Sequence, residues 1–178
     1  MLSALNDASA ATSMESTEKN SRESLGKALG RIASGVFVVT TRHNGNNHGF
    51  LATWISQAAF EPPSLTIALN KERGILQLLQ SGSLITINVL SKDNMNLFKA
   101  FAKPAQQEHD ERFAGLNLLE NAEAGPVFSE AVSYLNCRIK EFIDAGDHVV
   151  ALAELTAGAP LQAAAEPMVH FRNNGFQY

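Results

Sequence analysis

Two short segments of the chain carry residues suited to gripping a flat, phosphorylated ligand. The first is Gly49-Phe50-Leu51-Ala52-Thr53-Trp54-Ile55-Ser56-Gln57-Ala58, which runs on into Glu61-Pro62-Pro63. Its small side chains let a planar ring approach the main chain, whose N–H and C=O groups can then read the ring's edge, and Thr53, Ser56 and Gln57 add hydrogen-bonding groups. The second is Asn70-Lys71-Glu72-Arg73, followed by Gly74 at the start of a short helical stretch. Two cations and the N–H groups of a helix start meet the needs of a phosphate. Ring at one segment and phosphate at the next describe one mononucleotide, although such a polar turn also has the composition of a solvated connection. His148, directly after Gly146-Asp147, is the third candidate. Its ring can donate to a carbonyl or an amide, while a histidine beside an aspartate also has a purely structural reading.

Other chemistries lack their residues. No G-x-x-x-x-G-K-[ST] cradle and no G-x-G-x-x-G after a strand occurs, so phosphate-loop and Rossmann readings fail. The five histidines, His43, His48, His109, His148 and His170, never stand at i, i+3 or i, i+4, nor in H-E-x-x-H form, and no metal site is expected. No G-x-S-x-G elbow is present, and the single cysteine, Cys137, falls inside a strand pattern as a small core residue.

The elements that must position these groups follow from periodicity. Leu25, Ala28, Leu29 and Ile32 predict a short helix from Ser24, stopped by Gly35. Residues 35–41 are rich in β-branched types, Asn44-Gly45-Asn46-Asn47 turns the chain, and residues 48–53 return as the second arm of a hairpin. After the prolines, Leu65, Ile67 and Leu69 alternate as a half-buried strand ending at Asn70, and Ile75 to Leu79 suit a short helix. Ile85, Ile87 and Val89 alternate again, with Thr86 and Asn88 between them, and Ser91 is placed to cap a helix carrying Met95, Phe98 and Ala102 before Pro104. Residues 103–130 read as an acidic loop. Leu135, Cys137 and Ile139 begin a strand with a bulge expected at Glu141-Phe142, and a turn at Ala145-Gly146-Asp147 leads to a partner through Val149, Ala151 and Ala153. Met168, Val169 and Phe171 suggest a last short strand. Six or seven strands with three short helices favour a mainly β, antiparallel barrel over a doubly wound parallel sheet.

Composition agrees with one ordinary domain. The chain has 178 residues, 45% of them apolar, and a formal charge of −4, which argues against nucleic acid as a partner. No apolar run approaches the roughly 20 residues of a membrane helix, no secretory signal pattern opens the chain, and a lone cysteine suits a reducing compartment, so a cytoplasmic protein is expected. Residues 1–22 are expected to be a flexible tail or linker, and residues 23–178 one domain.

In the order they occur, Gly49 to Pro63, Ile87-Asn88-Val89-Leu90, Phe101-Ala102, Arg112-Phe113, Gly125-Pro126, Cys137 and Gly146-Asp147-His148 make the chain from about residue 25 onward resemble the flavin reductase family. That family has an FMN-binding, Greek-key split barrel. Within it, the stretch from Ala52 to Pro63 is most similar to the carboxyl-terminal reductase module of cyanobacterial diflavin flavodiiron proteins. Leu51, where the family usually has threonine, and Trp54, where it has a small polar residue, depart from the pattern. The resemblance implies flavin contacts from Ala52, Thr53, Trp54, Ser56, Gln57 and Ala58, phosphate binding by Lys71 and Arg73, and a ribityl contact from Asn70. It implies His148 as the donor to a flavin carbonyl or a nicotinamide amide, with Phe101, Arg112 and Phe113 as looser candidates for the pocket wall. The cofactor implied is FMN, with FAD as an alternative. NADH or NADPH is the electron donor, the chain is a homodimer, and the acceptor is a flavodiiron core or a monooxygenase. A non-catalytic FMN-binding protein of the same fold is the reading from another class.

Overall fold

The structure, a computed structural model, describes residues 18–103, 111–119 and 124–177. Its longer strands, one excepted, follow the period-two runs. The strands are β1 (Ser34–Gly35), β2 (Phe37–His43), β3 (Asn46–Ala52), β4 (Ile55–Phe60), β5 (Pro63–Asn70), β6 (Leu84–Val89), β7 (Leu118–Leu119), β8 (Val127–Phe128), β9 (Ser133–Ala145), β10 (His148–Pro160) and β11 (Val169–His170). Residues 18–29 form helix α1, and Met95–Phe101 form α2. The short helix expected after Asn70 is a 3-10 turn, Gly74–Leu78.

Seven strands make one antiparallel sheet in the order β3-β2-β6-β9-β10-β5-β4. Its two edges, β3 and β4, are consecutive in sequence and joined only by Thr53 and Trp54. The three steps from Ala52 to Ile55 span at most about 11 Å, so the sheet must roll until the end of β3 lies near the start of β4. They do not pair: the roll is a split barrel with an open seam, rather than a closed one. The antiparallel architecture was expected from the strand pattern, and the split from the family resemblance.

β2 shows why its first three residues, Phe37 to Val39, are apolar without alternation. Val39 points into a core with Ile67, Ile85, Ile87, Cys137, Ile139 and Ala151, whereas Val38 points the other way into a second core with Val36, Leu90, Leu97, Phe101 and Phe128. A strand covered on both faces has no polar side to show. The second core centres on three rings, with Phe101–Phe113, Phe101–Phe128 and Phe113–Phe128 centroids at 5.1, 5.5 and 5.9 Å. Gly49 is required beneath them, because a Cβ there would lie 2.8 Å from Phe101 Cε1 and 3.0 Å from Phe113 Cζ.

Several local expectations shift. Thr86 and Asn88 are wholly buried, because the segment Gly125–Phe128 lies over them. Thr86 Oγ1 donates to Asn136 Oδ1 at 2.9 Å, Asn88 Nδ2 to the Pro126 carbonyl at 3.2 Å, and Phe128 N to Asn88 Oδ1 at 3.0 Å. Helix α2 takes Asn94 as its N-cap, and Ser91 instead donates its N–H and hydroxyl to Asn94 Oδ1. The bulge falls at Lys140, one residue before the expected site, since Ala153 faces Ile139 while Leu152 faces Glu141. The expected loop contains a 3-10 turn at Glu111–Phe113 and the pair β7–β8, and its residues 104–110 and 120–123 lie outside the described residues.

The chain divides into two units, the second being Ser34–Val169. In the first, α1 begins by residue 18, earlier than Ser24, and the rest of the expected tail, residues 1–17, lies outside the described residues. Its carboxyl-terminal run is strapped to α1 by Gly175 N donating to the Gly26 carbonyl at 2.7 Å and by Arg22 lying 4.6 Å over the Phe176 ring.

Candidate functional site

The candidate residues of the second unit converge because two antiparallel strands end together. Asn70, the last residue of β5, stands directly opposite His148, the first of β10. The Asn70 side chain then shapes the turn that follows: its Oδ1 accepts from Glu72 N at 2.8 Å and its carbonyl from Arg73 N at 3.1 Å. This is the aspartate-or-asparagine turn that short polar side chains favour. A main-chain bond from Lys71 N to the Asp147 carbonyl at 3.0 Å joins this turn to the β9–β10 turn, so Lys71, Arg73, Asp147 and His148 share one end of the sheet.

Each charged group already has a protein partner. Lys71 Nζ donates to Asp144 Oδ2 at 2.6 Å, with the Asp144 side chain largely in solvent and that of Lys71 partly so. That hydrogen bond from Lys71 holds the Asp144 carboxyl below its usual range. Arg73 Nη1 donates to the Leu51 carbonyl at 2.9 Å, with its guanidinium carbon 5.7 Å from the centre of the Phe50 ring. Asp147 Oδ1 lies 2.8 Å from His148 Nδ1, and this contact holds the Asp147 carboxyl low. An ionised carboxylate can only accept, so Nδ1 carries the proton. The Trp54 indole closes over the imidazole, with ring centroids 5.0 Å apart and planes 37° from parallel, and His148 is only 7% exposed.

Ala52 is buried at the end of β3, and Thr53 and Trp54 form the half-buried link across the seam. Ser56, Gln57 and Ala58, to which the sequence pattern assigned no element, lie exposed on the edge strand β4 and lead away from the cations. Ala68 N donates to the Trp54 carbonyl at 3.0 Å, Ile55 faces Ile67 and Ser56 faces Thr66. In an antiparallel ladder this phase makes Ser56 and Thr66 the hydrogen-bonded pair and turns the N–H groups of Ile55 and Gln57 away from β5. No strand pairs with that side of β4 among the described residues. Sequence reasoning missed Ile55 as a main-chain donor and Asp144 as the partner of Lys71. The signal for Asp144 was its place opposite Val149 in the predicted hairpin, next to the His148 register.

A separate cavity of about 560 Å³, lined by Pro63, Leu135, Leu155, Gly158 and Pro160, sits at the far ends of β5 and β10 and brings no cation or imidazole. Cys137 is buried in the core and its thiol is pushed up to about 12 by that burial, so it is no nucleophile. Among the described residues, no cluster of three metal-ligating side chains occurs.

The flavin reductase like domain matches residues 29–177 of the chain. The chain belongs to that family. Its relatives include a Synechocystis diflavin flavoprotein, 40% identical over 154 residues, which covers 85% of this chain and 25% of that protein. Diflavin flavoprotein A 1 of Synechocystis is 34% identical over 155 residues, covering 86% and 27%. The flavin reductase like domain thus spans about a quarter of the length of the curated relatives it matches. Among solved structures, the Streptomyces globisporus NADH:FAD oxidoreductase SgcE6, in complex with NAD and FAD fragments, shares the fold with a TM-score of 0.73 at 23% identity over 84% of this chain and 86% of its own. The styrene monooxygenase flavin reductase of Pseudomonas putida shares it with a TM-score of 0.69 at 19% identity, covering 82% and 90%. The domain is a flavin-related oxidoreductase by family, and among its described residues no helix is long and apolar enough to cross a membrane.

Proposed function

We propose that this domain is an NAD(P)H:flavin oxidoreductase that holds FMN along the open edge of β4. The observation that carries the reading is the outward edge of β4, with Ile55 and Gln57 N–H groups unclaimed by β5, in the same unit as a turn bearing Lys71 and Arg73. The residues fit the group: main-chain donors for a ring edge, an exposed ammonium for a phosphate, and Asn70 at the intervening turn for a polyol.

Bound flavin supplies an acceptor for a hydride from reduced nicotinamide. The chain's own work is positional. Outward N–H groups fix the ring and stabilise negative charge as it develops, in the way preorganised donors do in any partly dry site. Lys71 exchanges Asp144 for the phosphate, and Arg73 keeps the neighbouring turn in place. His148, its Nδ1 proton committed to Asp147, orients the carboxamide of the nicotinamide. The chain works as a homodimer in this reading, to be checked by sedimentation with and without FMN.

The register supplies the test. Gln57→Pro removes an N–H that points away from the sheet, which edge strands tolerate, whereas Ser56→Pro removes one that the ladder uses. Gln57→Pro should keep its thermal midpoint and lose FMN affinity by at least about tenfold, one good hydrogen bond to a charged acceptor. Unchanged affinity would remove FMN from this edge. Anaerobic titration of the FMN-loaded protein with NADH and then NADPH should bleach the flavin, and no bleaching by either would leave only a flavin-binding protein. A second reading, an electron-passing module serving a flavodiiron core, is favoured by relatives about four times as long as the match. It is supported if turnover requires that core in addition.

A further inference from the structure

Trp54 is the only tryptophan of the chain, and it sits on the two-residue link that crosses the seam. Its main chain is held, because its carbonyl accepts from Ala68 N at 3.0 Å. Its side chain lies on His148 with ring centroids 5.0 Å apart. The imidazole beneath is itself immobile: it begins β10 opposite Asn70, is 7% exposed, and has Nδ1 2.8 Å from Asp147 Oδ1. The backbone of Trp54 is therefore held, and its half-buried indole can leave the imidazole only by turning about its two side-chain bonds.

We infer that Trp54 is a gate over His148, which a nicotinamide ring must displace to reach the imidazole. The inference rests on the oxidoreductase reading and deepens it, since it says what competes with the nicotinamide for His148. An indole against an imidazole is a favourable contact, more so when the imidazole is charged. A ligand that needs the same face pays for separating the pair, and its apparent affinity falls by the fraction of time the gate is open.

The lone indole provides its own reporter. In the FMN-free protein at one fixed pH, Trp54 emission should depend on the ring that lies against the indole. His148→Gln, which removes that ring, should change the emission intensity from the wild-type value. Emission indistinguishable from wild type in His148→Gln overturns the stacked pair.

The affinity arm uses NAD⁺ and NADP⁺ with the FMN-loaded protein, read by equilibrium dialysis. Trp54→Ala should lower the Kd of the better nucleotide by at least about threefold, the gain from removing a gate that is shut most of the time. Binding that weakens or stays the same in Trp54→Ala, with wild-type binding intact, overturns the gate alone and makes Trp54 a platform or a bystander. Absence of binding in both proteins overturns the gate together with the nicotinamide reading. Trp54→Phe, which keeps a flat ring at the seam, should restore most of the wild-type Kd.

Discussion

Arg73 donates Nη1 to the carbonyl of Leu51 at 2.9 Å, across 22 residues of chain. Two residues earlier on the same strand, the Gly49 carbonyl accepts Nη2 of Arg112 at 2.6 Å. Both carbonyls lie on the seam side of β3, an edge strand whose outward acceptors would otherwise invite pairing with another strand. The two guanidiniums thus close β3 while leaving the seam open. Replacing Arg73 or Arg112 with methionine should each lower stability by about 1–3 kcal/mol, the range for a charge-assisted bond whose acceptor is left partly buried. Urea midpoints at constant m would show it. For Arg73→Met, lost FMN affinity should accompany the lost stability.

Lys71 and Asp144 form an ion pair at the surface, where such pairs add little to stability. The pair instead sets how readily Lys71 turns to another anion. Asp144→Asn should leave the thermal midpoint at neutral pH nearly unchanged and raise FMN affinity a few-fold, measured by quenching of flavin emission. Weaker FMN binding in Asp144→Asn would mean that Lys71 needs Asp144 to hold it in position.

How much of this was legible in the sequence depends on which forces set each element. β2, β5, β6, β9 and β10 could be read because each has at least one face in the core and so repeats with period two. β4 could not. Ser56, Gln57 and Ala58 are all exposed, and the register skips from Gln57 to Ala59, so the alternation is interrupted where it would have been looked for. Thr86 and Asn88 gave the pattern of a solvated face, yet a segment some 39 residues away covers them. The turn from Asn70 to Arg73 and the Asp147–His148 pair were visible as residue types, but the Leu51 carbonyl that takes Arg73 is main chain and leaves no mark in the sequence.

The carboxyl groups of Asp144 and Asp147 are both held low, the first by the hydrogen bond from Lys71 and the second by that from His148. A carboxyl whose value is depressed on folding adds stability above its unfolded value, and this is lost as pH falls through the folded value. The ordinary value is 3.8 for each, so the acid limb of the stability curve should steepen below that point. In the double variant Asp144→Asn with Asp147→Asn, the loss of thermal midpoint between about pH 5 and 2 should be shallower than in the wild type. Parallel curves would mean that other carboxylates govern acid unfolding.

Gly49 and Gly125 are both places where the main chain passes too close for a side chain. A Cβ on Gly49 meets the edges of Phe101 and Phe113, which can shift slightly, whereas one on Gly125 would lie 2.6 Å from the Thr40 carbonyl carbon and oxygen. Ring edges yield more readily than a strand's backbone. Gly49→Ala should therefore cost about 1–3 kcal/mol, as overpacking of a core does, and Gly125→Ala should cost more. Equal urea midpoints for the two would contradict the close approach at Gly125.

Cys137 faces Ile85 on one neighbouring strand and Leu155 on the other, and it is wholly buried. With its thiol pushed up to about 12 by burial, almost none is thiolate at pH 8, and no reagent reaches it without opening the sheet. Reaction with a disulfide reagent such as dithionitrobenzoate should be negligible in the native protein and stoichiometric in urea. Its native rate should follow sub-global opening of β6, β9 and β10, rising with urea in step with that exposure. Rapid labelling without denaturant would show that the strands bearing Asp144 and His148 come apart easily, and a site positioned by their register could not then be rigid.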